Sequence, residues 1–245
     1  MNYKMIVQYD GTRYDGWQKQ GNTDNTIQGK LEAILSKMAG MPIEVQGAGR
    51  TDAGVHALGQ TANFHLPKGC VLTEDIRDYL NKYLPEDIGI LEVEEAEERF
   101  HSRLNAREKV YRYRISTSSL KNVFERKYIY LLGEHLNVRA MEEAADELIG
   151  THDFKSFCSN KRMKKSSIRK LNKIEITELE GELQITYTGE GFLYNMVRIM
   201  TGTLIEVGQG KRLPKEMQEI LEGKDRALAG ITAPARGLCL VEVLY

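Results

Sequence analysis

The segment KVYRYRI, Lys109 to Ile115, alternates strictly. Tyr111, Tyr113 and Ile115 share one face, and Val110, Arg112 and Arg114 the other, which is the period of a β-strand. Lys173 to Glu178 and Leu183 to Tyr187 read as two more strands, joined as a hairpin around Glu180-Gly181-Glu182. Helical spacing appears over Val138 to Ile149, ended by Gly150, and over Phe192 to Val207, with Phe192, Met196, Met200, Leu204 and Val207 as the apolar side. Pro214 opens a further helix to about Leu221, and Leu238 to Tyr245 is a final strand.

The first half uses the same vocabulary. Lys4 to Tyr9 is a strand with Met5 and Val7 on one face. Thr26 opens a helix to about Met38, carrying Ile27, Leu31, Ile34, Leu35 and Met38 at helical spacing. Ile43 to Gln46 and Gln60 to His65 read as strands, Thr73 to Leu84 as a helix capped by Thr73, and Ile88 to Val93 as a strand. Strand and helix do not alternate strictly in either half. That favours an α+β fold with mixed or antiparallel sheets flanked by helices over a doubly wound parallel sheet. Two similar subdomains, residues 1–105 and 106–245, meeting at a central cleft, fit the pattern.

Composition narrows the class. At 245 residues, 41% hydrophobic and 28% charged, the chain reads as soluble and globular, with no apolar run of membrane length. Its start, MNYKMIVQYDG, lacks the shape of a signal peptide. Cys70, Cys158 and Cys239 are widely spaced and form no CxxC pair, which points to a reducing cytoplasm and to no metal site. The net charge of −1 hints at no polyanion, but the distribution does. Lys155, Lys161, Arg162, Lys164, Lys165, Arg169, Lys170 and Lys173 follow one another with no acid between. Glu86, Asp87, Glu92, Glu94, Glu95, Glu97 and Glu98 form a second run with no base. The acidic run reads as a solvated surface; the basic run reads equally as solvated surface or as a contact for nucleic acid or phosphate.

The stretch GAGRTDAGVHALGQ, Gly47 to Gln60, sets one acid, Asp52, among small residues. As a dinucleotide fingerprint it fails, because the third glycine would fall at Asp52. As a phosphate loop it fails too, because Val55-His56 stands where Lys and Ser or Thr are needed. What remains is a tight turn after a strand, where glycines let a ligand approach the backbone. Asp52 is then a turn former or helix cap, or an isolated general base or nucleophile kept ionised by a cation such as Arg50. With only His56 to assist, metal ligation is the weaker alternative. Tyr111 and Tyr113 read as core rings or as stacking platforms for splayed bases. Asn195, Arg198 and Gly202 line one stripe of an apolar helix, where Arg198 is either a snorkelling surface cation or one that needs a partner.

Seven blocks together resemble the tRNA pseudouridine synthase A family: YDGTRYDGWQKQ, TIQGKLE, GAGRTDAGVHALGQ, FHSRLNAREKVYRYRI, GTHDFKSFC, GFLYNMVRIMTGTLIEVGQGK and APARGLCLVEVLY. They run through essentially the whole chain in the family's order. The resemblance implies the pseudouridine synthase fold and isomerisation of uridine to pseudouridine in the anticodon arm of tRNA, at tRNA positions 38, 39 and 40. It implies that Asp52 is the essential aspartate that forms a covalent adduct, that Tyr111 stacks on the target base and is the candidate for the proton-transfer step, and that Arg198 pairs with the aspartate. Arg50 is implied at the flipped nucleotide, and Lys164, Lys165 and Arg169 at the tRNA arm. The segment around Lys161–Lys165 departs from the family's pattern, and Gly47 and Ala48 stand where members vary. A cytoplasmic homodimer that needs no cofactor or metal completes the expectation.

Overall fold

The computed structural model describes residues 1–67 and 72–245, so Cys70 lies outside the described residues. The chain divides into two compact units, Met1–Arg107 with Leu240–Tyr245, and Glu108–Cys239. The first boundary falls two residues from the expected one, but the last six residues group with the first unit. These residues are tied to the first unit: the Leu244 carbonyl accepts the Arg107 N–H at 2.8 Å, and the Tyr245 hydroxyl donates to the Ser102 carbonyl at 2.7 Å.

The first unit holds β1 (Asn2–Tyr9), α1 (Ile27–Ala39), β2 (Val45–Gly47), β3 (His56–His65), α2 (Thr73–Tyr83) and β4 (Ile88–Ala96). Its sheet order is β4-β1-β3 and then the C-terminal strand, with β2 on β3, and the pairs β1–β3, β1–β4 and β2–β3 are antiparallel. Met5 and Val7 are buried, as the alternation requires. α1 begins where expected, with the Thr26 hydroxyl accepting the Gly29 N–H at 3.2 Å. Ile27, Leu31 and Leu35 form its buried stripe. Thr73 is the first residue of α2 rather than its cap; that place is held by Leu72, whose side chain makes no capping bond. β3 starts at His56, four residues before the expected Gln60. Most of the acidic run is exposed on β4 and beyond, but Asp87 is not solvated: Arg13 Nη2 donates to it at 2.6 Å.

The second unit holds β5 (Glu108–Ser116), β6 (Tyr130–Leu131), α3 (Val138–Asp146), β7 (Gly150–Asp153), β8 (Ile168–Leu179), β9 (Glu182–Gly189), α4 (Met196–Gly208), α5 (Glu216–Gly223) and the start of β10 (Leu238–Leu244). Its sheet runs β5-β9-β8-β7 in antiparallel pairs, with β6 added parallel to β5, so the mixed α+β class holds. The β8–β9 hairpin turns at Glu180-Gly181, and Gly181 supplies the positive φ of +70°. Tyr113, Ile115, Ile185 and Tyr187 fill the sheet's inner face beneath the largely buried α4.

Three helix ends differ from the periodicity. α3 stops at Asp146, because Leu148 and Ile149 close a tighter turn onto Ala145 and Asp146, and Gly150 opens β7 at φ +115°. α4 starts at Met196 and not Phe192, because Asn195 sits in the left-handed region at φ +61°. Asparagine tolerates that geometry better than most residues. α5 starts at Glu216, two residues past Pro214, whose carbonyl accepts the Met217 N–H instead.

Candidate active site

Asp52 is half-buried in the loop between β2 and β3. The loop is not free to choose its shape. It is zipped along its backbone to the segment YDGTRYDGW, Tyr9 to Trp17. Trp17 N–H donates to the Thr51 carbonyl at 3.0 Å, and Gly54 N–H donates to the Tyr14 carbonyl at 3.3 Å. Tyr9 and Thr51 share a hydroxyl hydrogen bond of 2.8 Å in the core. Gly11 N–H donates to His56 Nδ1 at 3.1 Å, so the histidine belongs to the framework. Asp10 Oδ1 is 3.3 Å from the same nitrogen, but an Nδ1 that accepts from Gly11 cannot also donate to it.

Two glycines make this approach possible. A Cβ at Gly11 would stand 2.0 Å from the Val55 carbonyl oxygen. One at Gly16, whose φ is +93°, would stand 2.7 Å from the Thr51 carbonyl oxygen and 3.2 Å from the Asp52 carbonyl carbon. A third, Gly47, lies against the buried Trp17 ring, which a Cβ would meet at 2.4 Å. The same segment is tied to α1, since Ile27 N–H and Gln28 N–H donate to the Gly16 and Trp17 carbonyls. Its middle is fixed by Asp87, which accepts from Arg13 and from the Tyr14 hydroxyl. Burial and that carboxylate push the Tyr14 phenol well above its ordinary range. Sequence periodicity could not show this framework, because it lies in irregular backbone; the only signal was two glycines spaced around Tyr14.

Arg50 is exposed, two residues before Asp52, and has no hydrogen-bond or ion-pair partner among the described residues. Its guanidinium is available to a ligand.

In the second unit, Tyr111 is 7% exposed on the inner face of β5 and meets Phe192 edge-on at 5.1 Å. Tyr113 is a core ring, with its hydroxyl donating to the Pro234 carbonyl at 2.7 Å. Burial pushes its phenol far up, against the downward pull of the Arg198 cation, which lies close by. Arg198 is half-buried on α4, and it does not snorkel. Its Nε donates to the Ala233 carbonyl at 2.7 Å and its Nη1 to Asn195 Oδ1 at 2.8 Å. Asn195 in turn donates to the Ser159 hydroxyl at 3.0 Å. The left-handed cap therefore also aims the guanidinium, a role the sequence hinted at only through the Asn195–Arg198 spacing.

The basic segment divides. Lys161, Arg162, Lys164 and Lys165 are exposed. Arg169 is half-buried, with Nη1 donating to the Ser166 and Ile168 carbonyls, and burial lowers its pKa. Lys170 and Lys173 face Glu190 and Glu175. Among the described residues no group of three or more His, Cys, Asp and Glu is arranged to hold a metal ion. No helix among the described residues is long and apolar enough to cross a membrane.

A family model described as tRNA pseudouridine synthase matches residues 5–105 and 144–245. That match includes Asp52 and Arg198 and leaves Tyr111 outside it. The chain is 49% identical over 244 residues to tRNA pseudouridine synthase A of Bacillus sp. (strain KSM-64), across 100% of this chain and 99% of that one. It is 50% identical over 245 residues to tRNA pseudouridine synthase A 1 of Clostridium tetani, with the same coverage of 100% and 99%. It is 48% identical over 244 residues to tRNA pseudouridine synthase A 2 of Bacillus anthracis, again across 100% and 99%. Among solved structures, that of a Cbf5-Nop10-Gar1 complex matches at 14% identity with a TM-score of 0.36, over 83% of this chain and 45% of that one.

Proposed function

This chain belongs to the tRNA pseudouridine synthase family, and from that premise we propose that it isomerises uridine at positions 38, 39 and 40 of tRNA, with Asp52 as nucleophile. The enzyme class itself, an isomerase forming pseudouridine in tRNA, follows from the family.

The reaction breaks the N1–C1′ bond, turns the base and joins C5 to C1′. C5 releases a proton and N1 gains one. The product is an isomer of the substrate, so the balance calls for no oxidant, reductant or hydrolytic water. In the proposed course the Asp52 carboxylate attacks C1′, holds the ribose as an adduct while the base turns, and leaves when C5 attacks. Arg198 keeps the carboxylate anionic, and its two fixed hydrogen bonds set its direction beforehand. Tyr111 stacks on the extruded base and partly offsets the cost of unstacking, a few kcal/mol. Because Tyr111 is 7% exposed, a base reaching it must first part the groups that cover it. Arg50 contacts the flipped nucleotide, and Lys164, Lys165 and Arg169 serve the anticodon arm. The protein acts as a cytoplasmic homodimer on this reading.

The observation that carries the assignment of Asp52 is the pinned loop. An acid needed only as a turn former does not require two glycines and four hydrogen bonds, three of them from one distant segment's backbone, to set its neighbours. The test is Asp52→Asn, assayed by tritium release from tRNA labelled at uridine C5. Turnover should vanish with tRNA binding retained; near wild-type turnover would sink the assignment. Mapping pseudouridines in RNA from cells with and without the protein tests the positions, and sedimentation at working concentration tests the dimer.

A further inference from the structure

The motif FHSRLNAR, Phe100 to Arg107, takes no part in the chemistry above, yet the first unit devotes several buried polar groups to it. Ser102 is 0% exposed. Its N–H donates to Asn63 Oδ1 at 2.9 Å, and its hydroxyl donates to the Gln46 carbonyl at 2.5 Å. Its own carbonyl accepts the Tyr245 hydroxyl at 2.7 Å. Asn63 also donates to the buried Asn2, which holds the Glu97 and Phe100 carbonyls at 2.9 and 2.8 Å. The tip is closed on itself: the His101 carbonyl accepts from Leu104 and Asn105, and Asn105 Oδ1 accepts the His101 N–H at 2.7 Å.

What this rigid turn presents is Leu104, 77% exposed, between Arg99, Arg103 and Arg107. All three guanidiniums are exposed, have no partner among the described residues, and no acid lies between Arg99 and Arg107. One exposed leucine is ordinary. A leucine on backbone fixed by buried asparagines and a buried serine, flanked in sequence by three exposed guanidiniums, suits a ligand with phosphates and apolar faces. Single-stranded RNA has both. The turn is also tied to the strand that precedes the loop of Asp52. Gln46 and Asn63 face each other in the β2–β3 register, both bond Ser102, and β2 runs straight into that loop.

We propose that Phe100–Arg107 is an RNA-contact element of the pseudouridine synthase reaction, in which Leu104 wedges against bases unstacked beside the target uridine while Arg99, Arg103 and Arg107 hold the flanking phosphates. The proposal rests on the tRNA-modifying function argued above. Ser102 is its positioning residue; Leu104 is the group that touches RNA.

The experiment uses the full-length protein and a tRNA transcript with 2-aminopurine beside a uridine that the wild-type protein isomerises. If wild-type protein forms no pseudouridine on tRNA, the function itself fails, separately from this proposal. Leu104→Ser should lower the single-turnover rate about tenfold and cut the fluorescence rise that reports unstacking, while Leu104→Met restores both. The salt dependence of tRNA affinity should be unchanged in Leu104→Ser. In the triple variant Arg99→Gln, Arg103→Gln, Arg107→Gln its slope should fall by about 2, near 0.7 for each single-strand phosphate contact. Wild-type unstacking and rate in Leu104→Ser, or a wild-type slope in the triple variant, would overturn the proposal. So would an effect of Leu104→Ser confined to sedimentation, which would make the turn a protein interface.

Discussion

Gly16→Ala is the sharpest test of the idea that the aspartate loop is held from outside. The added Cβ meets two obstacles. Gly16 has φ of +93°, where a side chain crowds the following carbonyl and costs about 1–2 kcal/mol. The Cβ would also stand 2.7 Å from the Thr51 oxygen and 3.2 Å from Ala53 N and the Asp52 carbonyl carbon. Ordinary contact begins near 3.4 Å, so the loop must retreat by several tenths of an ångström. The Trp17 N–H bond to Thr51, now 3.0 Å, lengthens with it. Strain and crowding together should lower stability by about 2–3 kcal/mol. The retreat moves Asp52, and a misplacement approaching 1 Å can reduce a rate by about 100-fold. We expect a folded variant, a single-turnover rate down about 10- to 100-fold by tritium release, and tRNA affinity near wild type. Gly21→Ala is the control, since nothing lies within 4 Å of its added Cβ; stability and rate should both stay put. If Gly16→Ala loses the expected stability in urea yet turns over at the wild-type rate, the pinned loop does not position the carboxylate. If it loses neither, the loop is not wedged at all.

Three further outcomes are expected. Arg198→Lys keeps the charge but cannot donate at once to the Ala233 carbonyl and Asn195 Oδ1, so the rate should fall at least about tenfold with stability within about 1 kcal/mol of wild type. Burial raises the Tyr245 phenol to about 12, so its folded pKa lies above its unfolded value; the stability it contributes is whole below about pH 10 and drains as pH climbs toward 12. Because the ring is partly solvated, the loss should be about 1 kcal/mol, read as the difference between wild type and Tyr245→Phe in urea melts at pH 9 and pH 11.5. Reversing Lys164 and Lys165 to Glu should weaken tRNA binding and lower its salt slope by about 1–2; an unchanged slope would show that these lysines touch no phosphate.

Periodic elements were legible because their signal is local. KVYRYRI displays its two faces in the order of its letters, and β5 buries Tyr111, Tyr113 and Ile115 accordingly. Thr26 announces α1 because a cap acts within three residues. Where a non-local contact decides, the letters mislead. Phe192 to Asn195 continues a helical pattern, yet Asn195 turns left-handed, and its side chain bonds both Ser159 and Arg198. The acid at position 87 reads as one more solvated carboxylate in an acidic run, and only the fold sets it on Arg13 and Tyr14.

The order of letters was enough to determine strand and helix faces, the α+β class, the failure of both nucleotide motifs, and the lone acid in a glycine turn, since each depends on neighbours within a few positions. Tertiary structure alone decided what holds that acid's backbone, what aims Arg198, and why a surface turn around Leu104 is rigid. Those outcomes depend on hydrogen bonds between groups tens of residues apart, such as Trp17 with Thr51 and Tyr245 with Ser102, and such pairs leave no period in a sequence.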